Sequence, residues 1–123
     1  MEKITKENLN QFLTKYQNLH DSKIESTFYD INNSQIEIIF NIIWTYNPKT
    51  KKSDIVQTHK GKIKMIFSDI EECNNKEIFS YDFIYEAYIK YIKLKEKEYI
   101  CFASDKTDPF IYIVCKEIEY VNL

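Results

Sequence analysis

The stretch from Ile36 to Tyr46 constrains the fold more than any other part of the chain. Ile36, Ile38, Phe40, Ile42, Trp44 and Tyr46 fall on every second position, with Glu37, Asn41 and Thr45 between them. Side chains alternate across a strand and recur every 3.6 residues on a helix, so the pattern specifies a long β-strand. Ile39 and Ile43 stand on the otherwise polar side, which implies that the middle of the strand is covered on both faces. Asn47-Pro48 ends it, because the residue before proline is driven out of regular pairing geometry.

A strand of this length needs partners for its backbone groups, and the flanking sequence supplies them. Residues 23 to 31 read as a strand with Ile24 and Phe28 on one face and Tyr29 and Ile31 on the other; Asn32, Asn33 and Ser34 then provide turn chemistry. Pro48 to Thr58 reads as a polar, Lys-rich connection. From about Lys60 to Glu71 the pattern is two-faced: Ile63, Met65 and Phe67 point one way, and Lys60, Lys62 and Lys64 the other, towards water. Residues 79 to 95 fit both periods. Their aromatic and β-branched content favours a strand over a helix. Tyr99 to Ala103 forms another strand. In the last one Phe110, Tyr112, Val114, Ile118 and Tyr120 share a side, with a bend near Lys116.

Ahead of the strands, Leu9, Phe12, Leu13 and Tyr16 recur at helical spacing over residues 5 to 17. Thr5 serves as N-cap, with Asn8 standing where a capping box has Glu or Gln. The expected fold is α+β and mainly β. It has an N-terminal helix packed on a twisted antiparallel β-meander of about six strands, as a partly open barrel or small sandwich, in a single domain over residues 1–123.

Charge and composition then narrow the function. Ten Tyr and eight Phe in 123 residues supply a core and exclude disorder. Gly61 is the only glycine, which excludes a glycine-built phosphate loop. All seventeen basic residues are Lys, set against nineteen acids. Residues 48 to 68 hold six Lys against Asp54 alone, whereas residues 69 to 123 hold seven Lys against twelve acids. The absence of Arg forks argues against nucleic acid as the partner, and a basic patch in an acidic chain suits a protein surface. Cys73, Cys101 and Cys115 are odd in number and lack CxxC spacing. No apolar run follows Met1, and no stretch approaches the roughly 20 apolar residues of a membrane span. Reduced thiols in a cytoplasmic protein are therefore expected. The abundance of Ile, Asn, Lys and Tyr points to an AT-rich bacterial genome.

Several residues carry chemistry. His20 and Asp21 follow the helix directly and are the candidate catalytic pair, since a His beside a carboxylate can act as a general base or metal ligand. Adjacent residues of an extended segment point apart, so the spacing favours structural anchoring of the helix-to-strand junction instead. His59 reads as an exposed loop residue. Two His and three dispersed Cys do not make a zinc site, and neither metal nor cofactor is expected. Asp69, Glu71 and Glu72 cluster at a strand end and read as solvated. Trp44 and Tyr46 belong to the apolar face, Tyr46 being the nearer to the surface. For a protein partner, Lys49, Lys51 and Lys52, with Tyr46, Glu71 and Glu72, are the candidate contact residues.

The run Leu19-His20-Asp21-Ser22-Lys23-Ile24 after a short helix resembles the "hDSxI" opening of a broad group of small, mostly uncharacterised bacterial proteins, some of which look like immunity proteins encoded beside toxins. KIKMIFSDI at 62 to 70, ICFAS at 100 to 104 and FIYIVCKEIEY at 110 to 120 are similar to that group's later strands. The resemblance implies a non-enzymatic protein that binds and neutralises a toxin. It places His20 and Asp21 at the group's recurring pair and Ile24 and Phe67 at core positions. Two alternatives stand beside it: a small hydrolase or metal-assisted enzyme using His20 and Asp21, and a structural domain that self-associates as a homodimer through an unpaired edge strand.

Overall fold

The alternation at 36–46 becomes one of the two longest strands of a seven-stranded antiparallel sheet. The computed structural model describes residues 1–46, 55–74, 83–107 and 109–123, with side chains described outside 43–46 and 55–60. In chain order the elements are β1 (Glu2–Lys3), α1 (Leu9–Lys15), β2 (Lys23–Asp30), β3 (Gln35–Tyr46), β4 (Ile55–Cys73), β5 (Tyr88–Leu94), β6 (Lys97–Ala103) and β7 (Tyr112–Asn122). Along β3, Ile36, Ile38, Phe40 and Ile42 are all buried. Opposite them the register sets Phe67, Met65 and Ile63 of β4, which are also buried, so the apolar faces of the two longest strands meet residue for residue. Lys62 and Lys64 stand on the outer face, where they pair with Glu25 at 2.8 Å and Glu37 at 3.8 Å.

The spatial order is β2-β3-β4-β7-β6-β5, with β1 added to β7. The sheet is thus two three-stranded meanders joined by the antiparallel β4–β7 pair, and the chain leaves sequential order between β1 and β2 and between β4 and β5. It is strongly curled. β3 and β6 are three strand spacings apart, about 14 Å in a flat sheet, yet the rings of Phe40 and Phe102 are 6.2 Å apart. Phe67, on the strand between, reaches Phe102 edge-on at 5.1 Å. The concave face therefore holds one core, and Phe40, Phe67 and Phe102 are fully buried in it. Among the described residues one bridge, Lys23 with Phe83, links β2 to the segment before β5, and the sheet is not closed into a barrel.

The N-terminal segment fills the opening. Thr5 N–H donates to Asn8 Oδ1 at 2.8 Å and Asn8 N–H donates to Thr5 Oγ1 at 3.2 Å, so Asn8 performs the reciprocal capping expected of it. Phe12 and Tyr16 are buried against Tyr120, with ring centroids 4.7 and 6.3 Å away. Tyr16 also donates from its hydroxyl to Asn122 Oδ1 at 2.9 Å. Ahead of the helix, β1 pairs with β7, Ile4 is buried, and Ile4 N–H bonds to Ile118 C=O at 2.8 Å. This two-residue strand has no periodicity to reveal it in the sequence.

Two face assignments differ from the sequence reading, and both trace to irregular backbone. In β2 the register shifts between Ile24 and Ser26, so Ile24 faces the core while Phe28 falls on the outer side, 61% exposed. In β7, Ile113 and Cys115 face the core, and Tyr112 and Val114 belong to a separate outer cluster with Tyr99, Cys101 and Ile92. Alternation resumes at Ile118 after a break centred on Lys116, as a bend there anticipates. The partner strand breaks at the same level, where Asp69 has φ of 55°. Residues 88–94 form a strand, which bears out the preferred reading for that part of 79–95; 83–87 are irregular apart from the bridge at Phe83, and 79–82 lie outside the described residues. β4 begins at Ile55, inside the stretch read as a connection. The expectations for Lys49, Lys51 and Lys52, and for the side chains of Trp44, Tyr46, His59 and Lys60, fall outside what is described.

Candidate functional site

The chain passes from α1 to β2 through an unusual turn. Gln17, Asn18 and Leu19 have φ of 50°, 54° and 55°, and Asp21 has 60°. Left-handed backbone costs roughly 1–2 kcal/mol for each L-residue, so the surroundings must hold it in place. Leu19 N–H bonds to Tyr16 C=O, His20 N–H to Gln17 C=O and Ser22 N–H to Leu19 C=O, which closes three successive short turns. Leu19 is fully buried beneath them. From the other side, the segment entering β5 clamps the turn. Ala87 N–H donates to Asn18 C=O at 2.7 Å, Ile84 N–H to Ser22 C=O at 2.8 Å, and Asn18 Nδ2 to Glu86 Oε1 at 2.9 Å.

This geometry overturns the inference that His20 and Asp21 point apart. The positive φ at Asp21 turns the two side chains to the same side, and His20 Nδ1 lies 3.0 Å from Asp21 Oδ2. Both remain about half exposed. The His20 ring also lies 5.7 Å from that of Tyr85.

Around the pair the structure gathers aromatic side chains that periodicity alone assigned to a strand face. Phe83 is 59% exposed, Tyr85 70% and Tyr88 38%. Lys23 Nζ stands 5.8 Å from the centre of the Phe83 ring. The Tyr88 hydroxyl donates to Glu86 Oε2 at 3.4 Å, and burial together with the Glu86 carboxylate raises its pKa above the usual phenol value. The signal in the sequence was the density of aromatics over 79–91, but nothing there showed that Ile84 and Ala87 would turn inward and Phe83 and Tyr85 outward.

The remaining candidates sit elsewhere. Glu71 and Glu72 are exposed near the end of β4, as a solvated strand end requires. Lys23, where β2 begins just after His20, lies opposite Asn41, and Asn41 opposite Lys62, so Glu72 is ten residues further along β4 than that level. They do not complete a site with His20. Burial pushes the Cys101 and Cys115 thiols up, Cys115 to about 12, so neither supplies a thiolate near neutral pH. Shallow surface depressions lie along Asn10, Gln11, Thr14 and Lys15 and between Met1, Glu2, Tyr120, Val121 and Asn122, away from His20. Among the described residues no three His, Cys, Asp or Glu side chains group as metal ligands, and no helix is long and apolar enough to cross a membrane.

Comparison with known proteins gave no matching family model, no matching curated protein and no matching solved structure.

Proposed function

We propose that this chain is a protein-binding domain without catalysis of its own, an immunity-type protein that captures and neutralises a bacterial toxin in the cytoplasm. The observation that carries the reading is the exposed aromatic group Phe83, Tyr85 and Tyr88, mounted on a segment whose intervening residues Ile84 and Ala87 are buried. Tyr and Phe in such positions supply the large contact areas on which protein interfaces depend. Lys49, Lys51 and Lys52, Tyr46, and the exposed Glu71 and Glu72 serve in this reading as further contacts that steer encounter.

The test is affinity capture of the tagged full chain from its native organism, with the stoichiometry of co-purifying proteins measured by mass spectrometry. One stoichiometric protein partner is expected. The triple change Lys49→Glu, Lys51→Glu, Lys52→Glu should weaken its capture without altering the circular dichroism spectrum. Recovery of the chain alone would contradict the reading, as would a stable homodimer with no other partner. The 3.0 Å contact of His20 with Asp21 favours one second reading, a small hydrolase. Turnover of ester or phosphodiester substrates that disappears in His20→Ala would establish it instead.

A further inference from the structure

We propose that the face formed by His20–Lys23 and Phe83–Tyr88 receives the Lys- and Arg-bearing surface of a partner protein, with Tyr85 and Tyr88 stacking against the partner's cationic side chains. The inference rests on the protein-binding reading and adds the surface and the chemistry of what it takes.

Exposure comes first. Phe83, Tyr85 and Tyr88 keep 59%, 70% and 38% of their surface in water. Three exposed aromatic residues within positions 83–88 are side chains of the kind that anchor the centre of a protein interface.

Charge decides the partner. Glu86 bonds the Tyr88 hydroxyl, Asp21 lies against His20, whose ring neighbours that of Tyr85, and Asp105 lies close enough to raise the pKa of Tyr88. Glu86 is held by Asn18 and Tyr88, both neutral, so its negative charge stands against the face. Among the described residues Lys23 is the cation held against these rings, and it already sits over that of Phe83. That contact is the same interaction, made within the chain, that the proposal assigns to Tyr85 and a partner cation. A partner presenting carboxylates or phosphates would meet like charge here.

The face is also preorganised. The left-handed turn and the backbone bonds Ala87 to Asn18 and Ile84 to Ser22 fix both halves before any partner arrives, which lowers the ordering cost of binding.

The experiment is a two-dimensional NMR titration of the ¹⁵N-labelled full chain at near-physiological ionic strength. The probe is a peptide of alternating Gly and Arg, with an alternating Gly and Glu peptide as control. Saturable shifts concentrated at residues 20–23 and 83–88 are expected with the Arg peptide and none with the Glu peptide. Tyr85→Ala should raise the apparent Kd about fivefold, and Tyr85→Phe should leave it within about twofold, since the ring face is retained. Glu86→Gln supplies an independent variant, which should also weaken binding. Shifts spread over the whole surface, or an affinity unchanged by both Tyr85→Ala and Glu86→Gln, would overturn the proposal. A dimer in sedimentation that dissociates in Tyr85→Ala would overturn it too, by assigning the face to a second copy. If a stoichiometric partner is captured equally well by the Tyr85→Ala chain, this face is wrong and the binding reading stands.

Discussion

The hairpin joining β5 and β6 offers a sharp test of the backbone. Leu94 pairs with Lys97, so Lys95 and Glu96 are the two residues of the loop, and their φ values are 51° and 67°. Positive φ at both positions matches a type I′ turn, which fits the right-handed twist of the strands and favours Asn-Gly. This chain places two long charged residues there. Each carries part of the roughly 1–2 kcal/mol penalty of left-handed backbone. Glycine gives some of that gain back through the added freedom of the unfolded chain. The double change Lys95→Asn with Glu96→Gly should therefore stabilise the protein by about 1 kcal/mol, or about 3–6 °C in Tm for a domain of this size. Urea unfolding followed by circular dichroism measures it, and the slope m should stay constant because the buried surface does not change. The opposite change, Lys95→Val with Glu96→Val, puts β-branched residues where they fit worst and should destabilise. No gain from Asn-Gly together with no loss from Val-Val would refute the assigned turn.

Other expectations follow from burial and titration. Phe102→Ala empties the point where Phe40 and Phe67 converge and should cost about 3–5 kcal/mol, read by the same urea titration. Ile4→Ala should cost about 2–4 kcal/mol, because Ile4 is buried where β1 is fastened to β7; the amides of residues 2–5 should then exchange faster with solvent. Burial raises the Cys115 thiol from 9.0 to about 12. A group raised on folding contributes its stability below the unfolded pKa and loses it as pH rises to the folded one. Stability should accordingly fall between about pH 9 and pH 12, and Cys115→Ala should flatten that fall when unfolding is measured across the range.

What the sequence made legible was the part where backbone is regular. Over β3 and the middle of β4 the strict period of two places Ile36, Ile38, Phe40, Ile63, Met65 and Phe67 inside, and all are buried. The helix was equally readable, because Phe12 and Tyr16 recur on one stripe and Thr5 and Asn8 carry their own capping chemistry. Face assignments failed in β2 and β7, where a single irregular residue exchanges the two sides of everything beyond it. The His20–Asp21 contact was hidden for a related reason. It depends on left-handed φ at Asp21, which a non-glycine residue seldom adopts and which the Ile84–Ala87 clamp enforces from far along the chain. Exposure of Phe83 and Tyr85 was hidden as well, since an aromatic on a surface and one in a core read alike in sequence.

Each of these placements depends on the curl that folds six long strands around one interior. The most direct check is the nuclear Overhauser effect between the ring protons of Phe40 and Phe102 in selectively labelled protein. Ring centres 6.2 Å apart bring ring protons close enough for a clear cross-peak, and that is the expected result. Complete absence of the cross-peak, with both rings assigned, would mean strands held about 14 Å apart in a flat sheet and would contradict the fold.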